Sequence, residues 1–427
     1  MFKTLRSAWA IPELRKKLMF TVFALLLFRI GHVIPVPFVD AGAMGAYFDS
    51  ALNSTVLGLY NAMSGSAFSQ ASVLALGIQP YINASIIVQL LTVAIPPLER
   101  MAKEQGEIGK KKIERITRYT TVALGLLLGF AYYTMIANPA DGSQILTETG
   151  FWPGLVIVLA FTAGSSAVMW LGEQITAHGI GNGISVLLFA GIVASLPSMF
   201  SSLTSGLFDW WVAVIIGVVL LLLIVFIVFV NDAERRIPIQ YAKRVVGRKV
   251  YGGQSTNLPI KVSMSGVLPV IFASSIINVP ATLYQFIPSW NKNGFLYKNV
   301  FSSDSVIYLV LYGLLIFFFS WFYSTIQYDP TEISNNLKKN GGFIPGFRPG
   351  KPTSDFIKKV INKILVFGAI YLAIVAMIPM VASAANHNFQ YLAIGGTSII
   401  IVVGVALETV KALEAQLLMR HYKGFLD

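Results

Sequence analysis

Residues 211–236 read Trp211-Val212-Ala213-Val214-Ile215-Ile216-Gly217-Val218-Val219-Leu220-Leu221-Leu222-Leu223-Ile224-Val225-Phe226-Ile227-Val228-Phe229-Val230-Asn231-Asp232-Ala233-Glu234-Arg235-Arg236. The stretch from Trp211 to Val230 carries no charge, and a pair of arginines follows it closely. Twenty helical residues at 1.5 Å each reach about 30 Å, the thickness of bilayer hydrocarbon. This is a membrane-spanning helix, and the positive-inside bias puts its arginine end in the cytoplasm.

Working outward, the same length rule places spans at 18–36, 74–95, 117–137, 152–171 and 183–199, then at 211–230, 264–287, 305–325, 360–380 and 391–411. The cations obey the alternation these spans demand. Of 32 Lys and Arg, all but Arg29, Lys292 and Lys298 fall in Lys3–Lys17, Arg100–Arg118, Arg235–Lys261, Lys338–Lys363 and Lys411–Lys423. Those segments are assigned to the cytoplasm, which puts both termini there. Asp40, Asp49, Asp141, Glu148, Asp209 and Asp304 then face outside. The expected fold is all-α and polytopic, ten transmembrane helices in two blocks of five, residues 1–204 and 205–427. An odd number of spans per block inverts the second block relative to the first, as in inverted repeats. Ten spans without internal duplication is the other reading that topology allows.

Composition excludes most alternatives. A chain that is 55% hydrophobic and 12% charged is not a soluble domain. The net charge of +12 is juxtamembrane, where orientation and anionic lipid account for it. Nucleic-acid contact is confined to ribosomal RNA, and no DNA binding is expected. With no cysteine and four scattered histidines, His32, His178, His387 and His421, neither a thiol nucleophile nor a metal cluster is expected. Gly109-Lys110 lacks the flanking residues of a phosphate-binding loop, and no zinc-protease motif or nucleophile elbow occurs. No cofactor and no enzymatic activity are expected, so energy for work comes from outside the chain. Leu18–Phe28 resembles a secretory signal core, but no small-residue cleavage site follows it, so it is read as a retained span.

Several segments remain to be explained. The cation-free gap 37–73 ends in Leu57, Leu59, Tyr60, Met63 and Phe68 among small residues. This reads as a short, half-apolar helix, either buried in protein at membrane depth or lying on the outer surface. The gaps at 231–263 and 327–359 exceed what a turn needs. In the first, Arg244, Arg248 and Lys249 with Gly252 and Gly253 suggest a projecting hairpin with a basic tip, or simply a solvated charge run. In the second, Gly341-Gly342-Phe343-Ile344-Pro345-Gly346-Phe347-Arg348-Pro349-Gly350 presents one arginine on a non-helical frame, suited to a carboxylate or phosphate. Within the spans only Glu408 is acidic, which leaves no midplane carboxylate for a proton relay and weakens the competing reading of a secondary solute transporter. Arg29, near an outer span end, can snorkel or pair with a helix C-terminus. Ser85 and Gln89, with Asn83 and Thr92, and the group Ser274, Ser275 and Asn278 supply polar contacts between spans. They are either interhelical glue or a contact built to open.

Six blocks carry a resemblance over nearly the whole chain: Arg29–Pro37, Ala75–Ile82, Gly179–Ser185, Gln254–Lys261, Pro345–Gly350 and Gly395–Ser398. In this order they resemble the bacterial SecY family of protein-conducting channels. The resemblance implies a clamshell of two five-span halves around an hourglass pore in the bacterial plasma membrane. By motif position its pore ring falls on Ile78, Ile82, Leu188, Ile192, Ile271 and Ile401. Leu188 means the ring is not purely isoleucine. The plug falls on about 57–70, with Leu57, Leu59, Tyr60, Met63 and Phe68, which favours the buried reading of that stretch. The lateral gate falls on Asn83, Ser85 and Gln89 facing Ser275, Asn278 and Val279. Arg248 and Lys249 resemble the family's ribosome-contacting tip, and Arg348 its arginine important for motor-driven transport. The implied partners are SecE, SecG, the SecA motor, the ribosome, the bilayer, and secretory and membrane-protein precursors bearing signal sequences.

Overall fold

The computed structural model describes residues 2–52, 56–103, 106–139, 142–204, 210–241, 244–246, 249–251, 255–264, 266–286, 300, 305–385 and 390–423. A helix underlies each of the ten predicted runs, with altered ends. Helix α1 (Phe2–Ala10) breaks at Ile11, and α2 (Pro12–Gly31) restarts with Pro12 in its first turn, where the missing N–H costs nothing. The first span thus lies earlier than 18–36. After α3 (Ala41–Tyr47), capped by Asp40 Oδ1 accepting from Gly42 N at 2.8 Å, and a π turn at Phe48–Leu52, comes the short helix α4 (Val56–Met63).

Turns occupy Ser64–Ile78, so the second span begins at Gln79 rather than at residue 74. Helix α5 (Gln79–Ala94) meets α6 (Pro96–Lys103) at a 105° bend. Ile95 is extended there because Pro96 disfavours a helical residue before it. Then follow α7 (Gly106–Ala137), α8 (Phe151–His178), α9 (Gly183–Thr204) and α10 (Trp210–Asp232). The remaining helices are α11 (Leu268–Phe286), α12 (Val306–Gln327), α13 (Pro330–Lys339), α14 (Lys351–Ala385) and α15 (Gln390–Lys423).

Five described helices are long and apolar enough to cross a membrane, or six if α5 and α6 form one bent span. The apolar stretches of α9 and α11, Gly183–Pro197 and Leu268–Pro280, are shorter. Helix α10 exposes Val214, Val218, Leu221, Leu222, Val225 and Phe229, a continuous apolar face that only lipid or another apolar surface satisfies.

The fold is helical but not purely so. Strands β1 (Glu234–Tyr241), β2 (Arg244–Val246), β3 (Lys249–Tyr251), β4 (Ser255–Lys261) and β5 (Gly342–Phe343) lie in the two long loops. β1 pairs antiparallel with β4, Glu234 opposite Lys261 and Gln240 opposite Ser255, and β5 takes the other edge of β1. Alternation explains the strand: Ile237 and Ile239 are buried while Arg236, Pro238 and Gln240 are exposed. The buried isoleucines join Ile260, Leu337, Ile344, Ile357 and Ile361 in a separate small core. The hairpin expected in 231–263 is therefore present, with β2 and β3 paired toward its tip.

Segments expected on one side of the bilayer lie together. Ala8, Leu14, Ile180 and Leu413 form one cluster, Thr4 Oγ1 donates to Glu414 Oε1 at 3.2 Å, and Lys411 Nζ lies 2.6 Å from Asp232 Oδ1. At the other end, backbone bridges join Pro35 to Ser72 and Val39 to Leu146.

Candidate functional site

The six aliphatic residues assigned to a ring come from four helices. Ile78 caps α5 and Ile82 lies one turn on; Leu188 and Ile192 are one turn apart on α9; Ile271 lies on α11 and Ile401 on α15. An i, i+4 pair presents both side chains to one face. All six are buried in a single apolar cluster, and Met63 from the end of α4 belongs to it. Helix α4 packs on α9, α11 and α15, three of the helices that carry these residues.

The stretch 57–70 is buried within the protein, not laid on its outer surface: Leu57, Met63, Ala67 and Phe68 are all buried. Tyr60 is half-buried, and the Leu59 side chain lies outside the described residues. After Met63 the chain reverses through Gly65 and Ser66, at φ +66° and +70°, a region that favours glycine. Local bonds fix the reversal. Ser69 N donates to Asn61 Oδ1 at 2.9 Å and Ser64 Oγ to Asn61 O at 3.0 Å. Tyr132 Oη donates to Phe68 O at 2.7 Å, and the Phe68, Tyr132 and Phe161 rings meet edge to face at 4.6 Å. Gln79 Nε2 reaches Met63 Sδ at 3.2 Å, tying α5 to this segment. Arg29 Nη1 donates to Gly65 O at 3.0 Å, so it caps the carbonyl end beyond α4.

The proposed gate residues divide. Asn83, Ser85 and Gln89 lie half-buried on α5, and Gln89 Nε2 donates to Ser85 Oγ at 3.3 Å along the same helix. Ser275 and Asn278 are buried on α11, whereas Val279 is 42% exposed. α5 and α11 pack against each other. Asn278 Oδ1 accepts from Tyr308 Oη on α12 at 3.1 Å. That partnership, and Tyr312 stacked beside Tyr308, went unread in the sequence, although tyrosines one turn apart in an apolar helix mark a buried polar edge.

Arg348 is exposed on its loop. Thr353 Oγ1 donates to Arg348 O and Ser334 Oγ to Gly350 O, both at 2.8 Å, and Phe347 packs on Phe356 with ring centroids 4.2 Å apart. These contacts hold the backbone while leaving the guanidinium to solvent. Arg248 lies outside the described residues; Lys249 starts β3, its backbone opposite Val246.

A sequence model of the SecY family matches residues 72–410. A protein translocase subunit SecY of Streptomyces scabiei is 44% identical over the full length of both chains. Among solved structures, one described as a protein conducting channel superposes with a TM-score of 0.67 at 19% identity, covering 94% of this chain and 92% of the other. A second, in which the plug domain of the SecY protein is described as stabilizing the closed state of the translocation channel, gives 0.65 at 20% identity with the same coverage. The Sec61 channel of a canine ribosome-channel complex from the endoplasmic reticulum gives 0.62 at 18% identity, covering 94% and 92%. With the family model matching residues 72–410 and a relative 44% identical over the full length of both chains, the chain belongs to the SecY family.

Proposed function

We propose that this chain is the channel subunit of a Sec protein translocase, passing unfolded, signal-bearing polypeptides across the bacterial plasma membrane. The observation that carries the reading is the burial of Ile78, Ile82, Leu188, Ile192, Ile271 and Ile401 in one apolar cluster to which Met63 also belongs. A narrow aliphatic ring resists wetting and blocks ions. It also offers a passing chain no hydrogen bond that would hold it back. Residues 57–70 act as the plug above that ring.

Ten spans in two inverted halves, 1–204 and 205–427, form the clamshell around the pore. Asn83, Ser85 and Gln89 on one half and Ser275, Asn278 and Val279 on the other line the gate through which apolar segments leave. Sideways exit has a thermodynamic basis: central Leu, Ile, Phe and Val each favour the membrane by about 0.3–0.6 kcal/mol, so a signal core gains several kcal/mol in lipid. The packing of α1, α15 and the α8–α9 link into one cluster supports a cytoplasmic position for both termini. The energy comes from the SecA motor or the ribosome, received at Arg248, Lys249 and Arg348, with SecE and SecG completing the complex. The Sec61 likeness in a ribosome-channel complex supports the ribosome as a partner.

Reconstitution with SecE in vesicles, with SecA, ATP and a signal-bearing precursor added, tests this. Protease protection of the precursor is the expected result; a fully accessible precursor together with uptake of a small solute overturns it.

A further inference from the structure

The only cation within an apolar run, Arg29, and the buried His32 three residues later both reach the same point of the plug segment. Arg29 Nη1 donates to Gly65 O at 3.0 Å. His32 Nε2 lies within hydrogen-bond distance of Ser64 O, and its Nδ1 is 2.6 Å from Phe28 O, one turn back on α2. A neutral imidazole donates to one of these carbonyls and the cation to both. The His32 ring is also wedged edge-on against Phe28, with centroids 4.3 Å apart.

The gripped carbonyls directly follow α4. Carbonyls within its last turn already have donors: Tyr60 O accepts from Ser64 N, Asn61 O from Ser66 N, and Ala62 O from Gly65 N. Ser64 O and Gly65 O lie just beyond Met63, the last residue of the helix, at the negative end of its dipole, where a cation is favoured. Opposite the clamp stands Gly191, so close that a β-carbon on Gly65 would lie 3.1 Å from its carbonyl oxygen. The reversal at Ser64–Ser66 is thus held between α2 and α9.

We infer that Arg29 and His32 are positioning residues for the plug: they clamp the Ser64 and Gly65 carbonyls of its exit turn to the first span, so the plug leaves the constriction only when both bonds break. This rests on reading 57–70 as the plug. Two donors at the end of one helix, Arg29 in the last turn of α2 and His32 at its C-cap, aimed at consecutive carbonyls of a segment that must move, set a threshold for its movement.

The chain contains no cysteine, so Ala67→Cys, at a fully buried position of the segment, installs a single reporter thiol. The rate of its modification by a soluble maleimide reads departure of the segment in vesicle-reconstituted protein. Arg29→Met raises that rate on the order of tenfold, as loss of a hydrogen bond to a charged group predicts, and His32→Phe raises it too while keeping a ring against Phe28. Arg29→Lys, which restores a donor, stays within about twofold of the parent. Parent-like rates in both Arg29→Met and His32→Phe overturn the clamp, as does an Arg29→Lys rate equal to that of Arg29→Met. Ion leak measured in the same vesicles separates the two readings: faster labelling without added leak leaves the clamp standing and refutes the plug as a seal.

Discussion

Gly191 of α9 lies against Met63 at the end of α4 so closely that a β-carbon at position 191 would overlap the Met63 carbonyl oxygen. No side chain fits between these backbones. Ile192, the next residue, is a member of the proposed ring. The residue that abuts the end of α4 and a residue of the proposed ring are therefore consecutive on one helix.

Gly191→Ala should lift Met63 out of the cluster. Overpacking of this kind costs about 1–3 kcal/mol, here borne by the contact between α4 and α9. The expected outcome is higher ion conductance of reconstituted channels with the long helices retained by circular dichroism. Unchanged conductance would count against the seat.

Ile401→Asn places an amide in the apolar cluster, where Ile401 is buried. An unpaired buried polar group costs about 1–3 kcal/mol and invites water. Ion leak should rise. Ile401→Val, which removes one methylene at a cost of about 0.5–1.5 kcal/mol, should keep the seal, and the two leaks compared in one vesicle preparation check the contrast.

Tyr308→Phe removes the hydrogen bond to Asn278 that joins α12 to α11. A loss of about 1 kcal/mol in stability is expected, seen as a lowered Tm of the detergent-solubilised protein. A Tm equal to that of the parent would mean that this bond does not hold α11.

Arg348→Glu should abolish motor-driven export and leave folding unaffected, because Arg348 is exposed and such surface changes usually lie within about 0.5 kcal/mol of neutral. Export assayed with SecA and ATP, beside a Tm measurement, checks both halves of the statement. Wild-type export would remove Arg348 from the docking surface.

Much of this fold was legible because bilayer thickness sets helix length and loop charge sets sidedness. A helix lies under each of the ten apolar runs. What apolarity does not report is which face of a span meets protein. Ile227 is fully buried and Phe229 is 73% exposed, two residues apart on α10, and both satisfy a membrane equally. The residues proposed for the ring are for that reason assigned only through their motif positions. Span ends were misplaced where turns replace helix, as at Ser64–Ile78, since those residues are as apolar as the span after them. Gly191 and Tyr308 are not legible in the sequence because close backbone approach and a hydrogen bond between helices depend on how separate segments of the chain pack together. Arg29 was half-legible: a cation at a span end suggested a helix C-terminus, and the structure supplies the end of α4.

The most direct measurement is photo-crosslinking of a precursor stalled in transit, with a photoreactive side chain at Ile401 or Ile192 and, as control, at the exposed Phe229 of α10. Passage through the six-residue constriction predicts adducts from Ile401 and Ile192 that require the motor and ATP, and none from Phe229. Adducts of equal yield at all three positions, or none at Ile401 and Ile192 while the precursor is still exported, would contradict it.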